Sequence, residues 1–134
     1  MLVKQSIHKN KVYLYSSFSV ILVILLFAFL HSCKKLEIER IVKIKTGEIS
    51  GITINSAIVS GIIEDIGEKG ISQHGHCWSA SAYPTVNQNP KTELGSRRHT
   101  GSFSSNITDI FPGMTYNIRA YAISDGKVSY GDNV

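Results

Sequence analysis

The chain has 134 residues, with 14 Lys and Arg against 10 Asp and Glu, and 43% of its residues are hydrophobic. That length holds one domain of ordinary size and excludes a large multidomain enzyme. The formal charge of +4 is not a nucleic-acid footprint, because Lys4, Lys9 and Lys11 precede the first acidic residue, Glu37, and the remainder balances at 11 − 10 = +1. A nucleic-acid surface must neutralise several phosphates with clustered cations, so the charge balance argues against nucleic acid as a partner.

Residues 18–30 read FSVILVILLFAFL, with one Ser and no charge, behind a stretch whose only formal charges are lysines. This is the layout of a secretory signal. At ~1.5 Å per helical residue the run spans roughly 20 Å, short of the ~30 Å hydrocarbon core of a bilayer. A membrane-spanning helix over the longer uncharged stretch 12–30 is the alternative. The run ends in Leu30-His31-Ser32-Cys33-Lys34-Lys35, which resembles the lipobox of bacterial lipoproteins. Leu30, Ser32 and Cys33 match that pattern, and His31 departs from it in being larger and more polar than the usual occupant. The resemblance implies cleavage after residue 32, a diacylglycerol and acyl group on Cys33, and a lipid anchor in the outer membrane. Several acyl chains hold a protein to a membrane far better than one. Acylation of Cys33 leaves Cys77 without a partner in the chain, so no internal disulfide is expected and an apolar core must supply the stability.

The expected mature chain, from Cys33, has 134 − 32 = 102 residues, a size typical of a β-sandwich. Residues 33–43 are charged and read as a tether, and the domain is expected over 44–134. Segments 41–45 and 49–54 supply one edge region, and 56–64 (SAIVSGIIE) places Ala57, Val59, Gly61 and Ile63 on one face. Segment 71–79 (ISQHGHCWS) is a third strand, and 80–101 is a long polar connection with room for a short edge strand. Segment 102–110 carries Phe103, Ile107 and Ile110, and Pro112-Gly113 makes a turn. Segment 116–124 (YNIRAYAIS) has Tyr116, Ile118, Ala120 and Ala122 on one face, and Asp125-Gly126 turns the chain into 128–134. No window of helical length keeps an apolar stripe without meeting Gly or Pro. Short strands that each bury one face need two packed layers, so the fold class is all-β, a Greek-key sandwich after an N-terminal signal segment.

The residues Ile52-Thr53, Ser60-Gly61, Gly75-His76-Cys77-Trp78-Ser79, Pro112-Gly113-Met114-Thr115-Tyr116, Arg119-Ala120-Tyr121-Ala122 and Tyr130-Gly131 together resemble one Ig-like, fibronectin type III-like repeat. Such repeats occur in lipid-anchored and secreted surface proteins of Gram-negative bacteria. The resemblance covers residues 44–134, though repeats of that family continue for a few residues past the Tyr-Gly pair. It implies a structural role for the strand carrying Trp78. Independently of it, Tyr116 follows a Pro-Gly turn at the start of the penultimate strand of a Greek-key sandwich, where a core tyrosine bonds backbone upstream through its hydroxyl.

Candidate sites are few. His74 and His76, two apart on a strand, share a face at a separation of roughly 6.6 Å and suit one metal ion, with His99 as the available third ligand. Cys77 points the other way and reads as a small apolar residue. Arg97, Arg98 and His99 form a basic patch on the long connection, suited to anionic glycan or headgroups. Arg119 and Tyr121 share the face opposite Ile118 and Ala120, and both residue types are favoured at protein or sugar contacts. Asn106-Ile107-Thr108 matches a glycosylation sequon, but Ile107 reads as core. No G-x-S-x-G, H-E-x-x-H or phosphate-cradling glycine loop occurs. The reading is therefore a membrane-anchored, non-catalytic lipoprotein whose module acts as a spacer or binds protein or glycan, with no cofactor beyond the lipid. Its alternatives are a small metal-binding domain and the first module of a larger surface enzyme or adhesin.

Overall fold

The computed structural model describes residues 38–134, so the expected signal segment, Cys33 and the start of the expected tether lie outside the described residues. Six strands follow in order: β1 (Val42–Ser50), β2 (Ala57–Ile66), β3 (Gln73–Ser79), β4 (Gly101–Ile107), β5 (Asn117–Ser124) and β6 (Lys127–Tyr130). They form two antiparallel sheets, β1-β2-β4 and β3-β5-β6. The chain changes sheet between β2 and β3, returns between β3 and β4, and changes again between β4 and β5. That is the Greek-key sandwich expected from the alternation of apolar residues.

Period-two alternation does the work in β2, where Ala57, Val59, Gly61 and Ile63 are buried and Ile58, Ile62 and Glu64 face solvent. Against them from the other sheet stand Trp78, Ile118, Ala120 and Ala122, and Ile107 closes the core from β4. Each large aliphatic side chain buried in this way contributes about 1.5–3 kcal/mol. Gly61 has a steric reason to lack a side chain, since a Cβ there would lie 2.4 Å from Cζ of Phe103. The space lets the Phe103 ring cross between the sheets to meet His74 edge-on at 4.9 Å and His76 at 5.0 Å.

Two differences from the expectation concern boundaries. The folded unit starts at Glu39, so residues 39–43, expected in the tether, belong to the domain. Val42 is buried, and Arg40 pairs with Asp65 at 2.7 Å, which pulls this stretch onto β2. The segment expected at 41–45 and the start of that expected at 49–54 are one strand ending at Ser50, interrupted by a bulge where Thr46 pairs Gly61 and Ile49 pairs Val59, and residues 51–54 lie outside it. Pairing also runs past the end of β6: Gly131 donates to Ala120, and Ile118 and Val134 exchange both backbone hydrogen bonds.

The long connection between β3 and β4 does more than span a gap. Its residues 90–94 run along the free edge of β3, with backbone bonds from Trp78 to Pro90, Thr92 to His76 and Leu94 to His74. Its preceding turn drops Pro84 and Val86 onto the outer face of the β3-β5-β6 sheet. A second, smaller core of Cys77, Val86 and Tyr121 results, flanked by Ile123, Val128 and Tyr130. An unpaired strand edge is an aggregation hazard, and this ribbon covers the one on β3.

Candidate functional site

The residues singled out in the sequence separate into three places. The first is the buried centre around His76. Its Nε2 lies 3.0 Å from the carbonyl of Ser60, which only accepts, so Nε2 carries the proton. Nδ1 then accepts from the Ser105 hydroxyl at 2.8 Å. Ser105 in turn accepts from Thr92 Oγ1 at 2.8 Å, and Thr92 Oγ1 accepts from the His76 backbone N–H at 3.0 Å. The hydrogen bonds close a ring joining both sheets and the ribbon. Burial, with His74 nearby, pushes the His76 imidazole down to about 4, so it is neutral at physiological pH.

His74 donates Nδ1–H to the Gly95 carbonyl at 2.7 Å. Among the described residues no group of three or more His, Cys, Asp or Glu stands where it would hold a metal ion. His99, the third ligand in the metal reading, is exposed, and its carbonyl takes the Nε–H of Arg97 at 3.0 Å. Both ring nitrogens of His76 are committed to the fold.

The second place is the outer face of the β3-β5-β6 sheet, where the structure corrects one expectation. Tyr121 is fully buried, not part of an exposed stripe with Arg119. Alternation does put it on that face, but Val86 and Pro84 cover the face from the long connection. Gly75, its partner across the sheet, leaves room for the Tyr121 ring to donate its hydroxyl to the Thr92 carbonyl at 2.8 Å. Burial pushes that phenol up to about 12, and the neighbouring Cys77 thiol up to about 11. Trp78, on the opposite face, packs in the main core as expected. Half-buried Tyr116 accepts the Phe111 N–H on its hydroxyl at 3.1 Å, the tyrosine corner the turn predicts.

Arg97 and Arg98 lie apart from Arg119, in a separate surface hollow with Ser96 and Lys69. Arg97 is half-buried and structural: its guanidinium bonds the carbonyls of His99 and Ser102, each at 3.0 Å, and closes the turn into β4. Arg98 is exposed.

The third place is a groove of about 690 Å³ along the seam where the edge strands β1 and β6 meet. Thr46 spans that seam, donating its hydroxyl to the Asp132 carbonyl at 2.5 Å and accepting the Ala120 N–H at 2.9 Å. Arg119 projects into the groove with its guanidinium 4.3 Å from the Tyr130 ring centre and 5.9 Å from that of Tyr83. Its Nε–H is held by the Gly131 carbonyl at 3.1 Å. Lys45 at the rim is neutralised by Glu64 at 2.6 Å, whereas Lys43 has no ion-pair partner among the described residues.

Tyr83 is the residue that sequence reading missed. The residue is 70% exposed, and its backbone takes φ 58°, a left-handed conformation costly for a bulky residue. The conformation is held because Tyr83 N–H donates to Asn133 Oδ1 at 3.1 Å while the adjoining Pro84 is buried. The Tyr83-Pro84 pair reads in sequence as an ordinary loop start. Only the packing of residues fifty positions apart shows that the ring borders Arg119.

Fold and groove together define an all-β Greek-key sandwich that carries a mixed aromatic and charged surface groove. Solved structures of similar fold include the sensor domain of the anti-sigma factor RsgI4 in Pseudobacteroides cellulosolvens, at a TM-score of 0.50 and 17% identity, covering 69% of this chain and 88% of that one. At that identity the likeness is one of fold. No protein-family model and no curated protein matches the chain.

Proposed function

We propose that the chain is an extracytoplasmic lipoprotein, anchored in the outer membrane through an acylated Cys33, whose fibronectin type III-like sandwich is a non-catalytic binding or sensing module. The observation that carries this reading is the groove. Tyr83, Arg119 and Tyr130 converge there from three segments of the chain, and one of them is held exposed in a strained conformation. Exposed aromatic and arginine side chains on a rigid scaffold are the residue types that dominate recognition surfaces. The buried polar groups are consumed by the fold, since among the described residues every buried side-chain nitrogen and oxygen has a hydrogen-bond partner. The structural neighbour, a sensor domain, supports a binding role on the same fold, and the apolar run ending at Cys33 supports export.

The experiment has two parts. Labelled palmitate should enter the protein in cells, and Cys33→Ala should block both labelling and cleavage. Labelling that survives the substitution refutes the anchor. A photoreactive benzoylphenylalanine at Tyr83 should yield a crosslinked product in intact cells. The same residue at Ser104, on the outer face of β4, should yield none. Equal yields at both positions, or none at Tyr83, refute the groove as the contact site.

A further inference from the structure

The groove has a chemistry more specific than a general contact surface. Arg119 is already stacked on Tyr130 and bonded through Nε to Gly131, so its plane is fixed. Its two terminal nitrogens donate to no acceptor among the described residues. A planar fork held in this way matches a carboxylate better than a point charge does. Lys43 adds a second cation on the same groove and has no ion-pair partner among the described residues, since Glu64 pairs with Lys45 and its cross-strand neighbour Asp65 pairs with Arg40.

The remaining groups argue against an anion that concentrates two charges on one group. Asp132 and Glu64 also line the groove, and their carboxylates repel a phosphate dianion while accepting hydroxyl hydrogens. The ligand that satisfies both signs carries one carboxylate per unit together with several hydroxyls. Tyr83 supplies the third element, a flat and exposed ring at the rim, where the weakly apolar C–H face of a sugar is desolvated at little cost. The volume of about 690 Å³ falls in the ~300–1,000 Å³ range of small-molecule sites.

We propose that this groove binds an acidic saccharide, with a sugar ring stacked on Tyr83, its carboxylate on the Arg119 guanidinium beside Lys43, and its hydroxyls donating to Asp132. The proposal rests on the binding-module reading and names the ligand class for it.

The test is calorimetric titration of the full chain in nonionic detergent with trigalacturonate, a glucuronate trimer, the methyl esters of both, and triaspartate. At least one acidic trimer should bind, and its ester should bind about tenfold more weakly. Arg119→Gln should weaken the acid by about tenfold and leave the ester nearly unchanged. Tyr83→Ala should weaken both by about fivefold, since it removes stacking rather than charge. Should Arg119→Gln lower the melting temperature sharply, Lys43→Gln replaces it, with an expected loss of about threefold for the acid alone. The assignment is overturned by no binding of either acidic trimer at about 10 mM, by equal affinity for acid and ester, by triaspartate binding as tightly, or by indifference to Tyr83→Ala. Failure here with the Tyr83 crosslink intact removes the saccharide and keeps the binding site, whereas loss of the crosslink removes both.

Discussion

Protonation of His76 should destabilise this domain in a specific pH window. The imidazole is fully buried, and its neutral form is fixed by the Ser60 carbonyl on one nitrogen and the Ser105 hydroxyl on the other. In the unfolded chain His76 titrates near 6.5, and in the folded domain burial holds it down to about 4. The folded pKa is depressed, so its contribution to stability is fully present above pH 6.5 and is lost progressively as pH falls to about 4. The gap between the two values corresponds to about 3 kcal/mol at 1.36 kcal/mol per pH unit. That is a large share of the ~5–15 kcal/mol of a typical domain. Urea denaturation of the wild type and of His76→Gln, which removes the titration, should be run at pH 7.5, 6.0, 5.0 and 4.0. The wild-type advantage over the variant should shrink by about 3 kcal/mol across this range, while carboxylate effects cancel between the two. A difference constant with pH, or a His76 ring proton titrating near 6.5 in the folded protein, would refute the reasoning.

Tyr116→Phe removes the acceptor of the Phe111 N–H and keeps the ring, so it should cost about 1 kcal/mol. The melting temperature should then fall by roughly 5 °C in differential scanning calorimetry. Gly75→Ala should cost more, roughly 2–3 kcal/mol, because the added Cβ would lie 2.1 Å from the Thr92 carbonyl oxygen and push the 90–94 ribbon off β3. Amide exchange at Thr92 and Leu94 should speed up in that variant before the rest of the domain is affected. The buried Cys77 thiol, pushed up to about 11, should resist a thiol reagent at pH 7.5 in the folded Cys33→Ala protein and react at once in urea. Rapid labelling of the native protein would show that the Val86 cover opens.

Strand-level patterning was open to reading in the chain because its cause is local. Successive side chains of an extended backbone point to opposite faces, so Ala57, Val59, Gly61 and Ile63 announce a buried face wherever the partner strand comes from. Trp78 and Tyr116 follow from the same logic, together with the turn chemistry of Pro112-Gly113. The metal reading of His74 and His76 had the right face and lacked the environment. Two histidines on a strand look alike in sequence whether they meet an ion or a serine, and here the partners, Ser105 and Gly95, come from segments twenty or more residues away.

The sequence by itself determined that the domain is built of strands, which residues of each strand face inward, and that an apolar run ends at a cysteine. What covers the outer face of β5 was decided only in three dimensions. Tyr121 and Arg119 sit on the same side of the same strand, yet one is sealed beneath Val86 and the other opens into the groove. Alternation assigns a side chain to a face, but long-range packing of an irregular connection decides whether that face is wet. The exposed position of Tyr83 has the same origin, since its backbone N–H bond to Asn133 across fifty residues and the burial of Pro84 hold it where no local preference would.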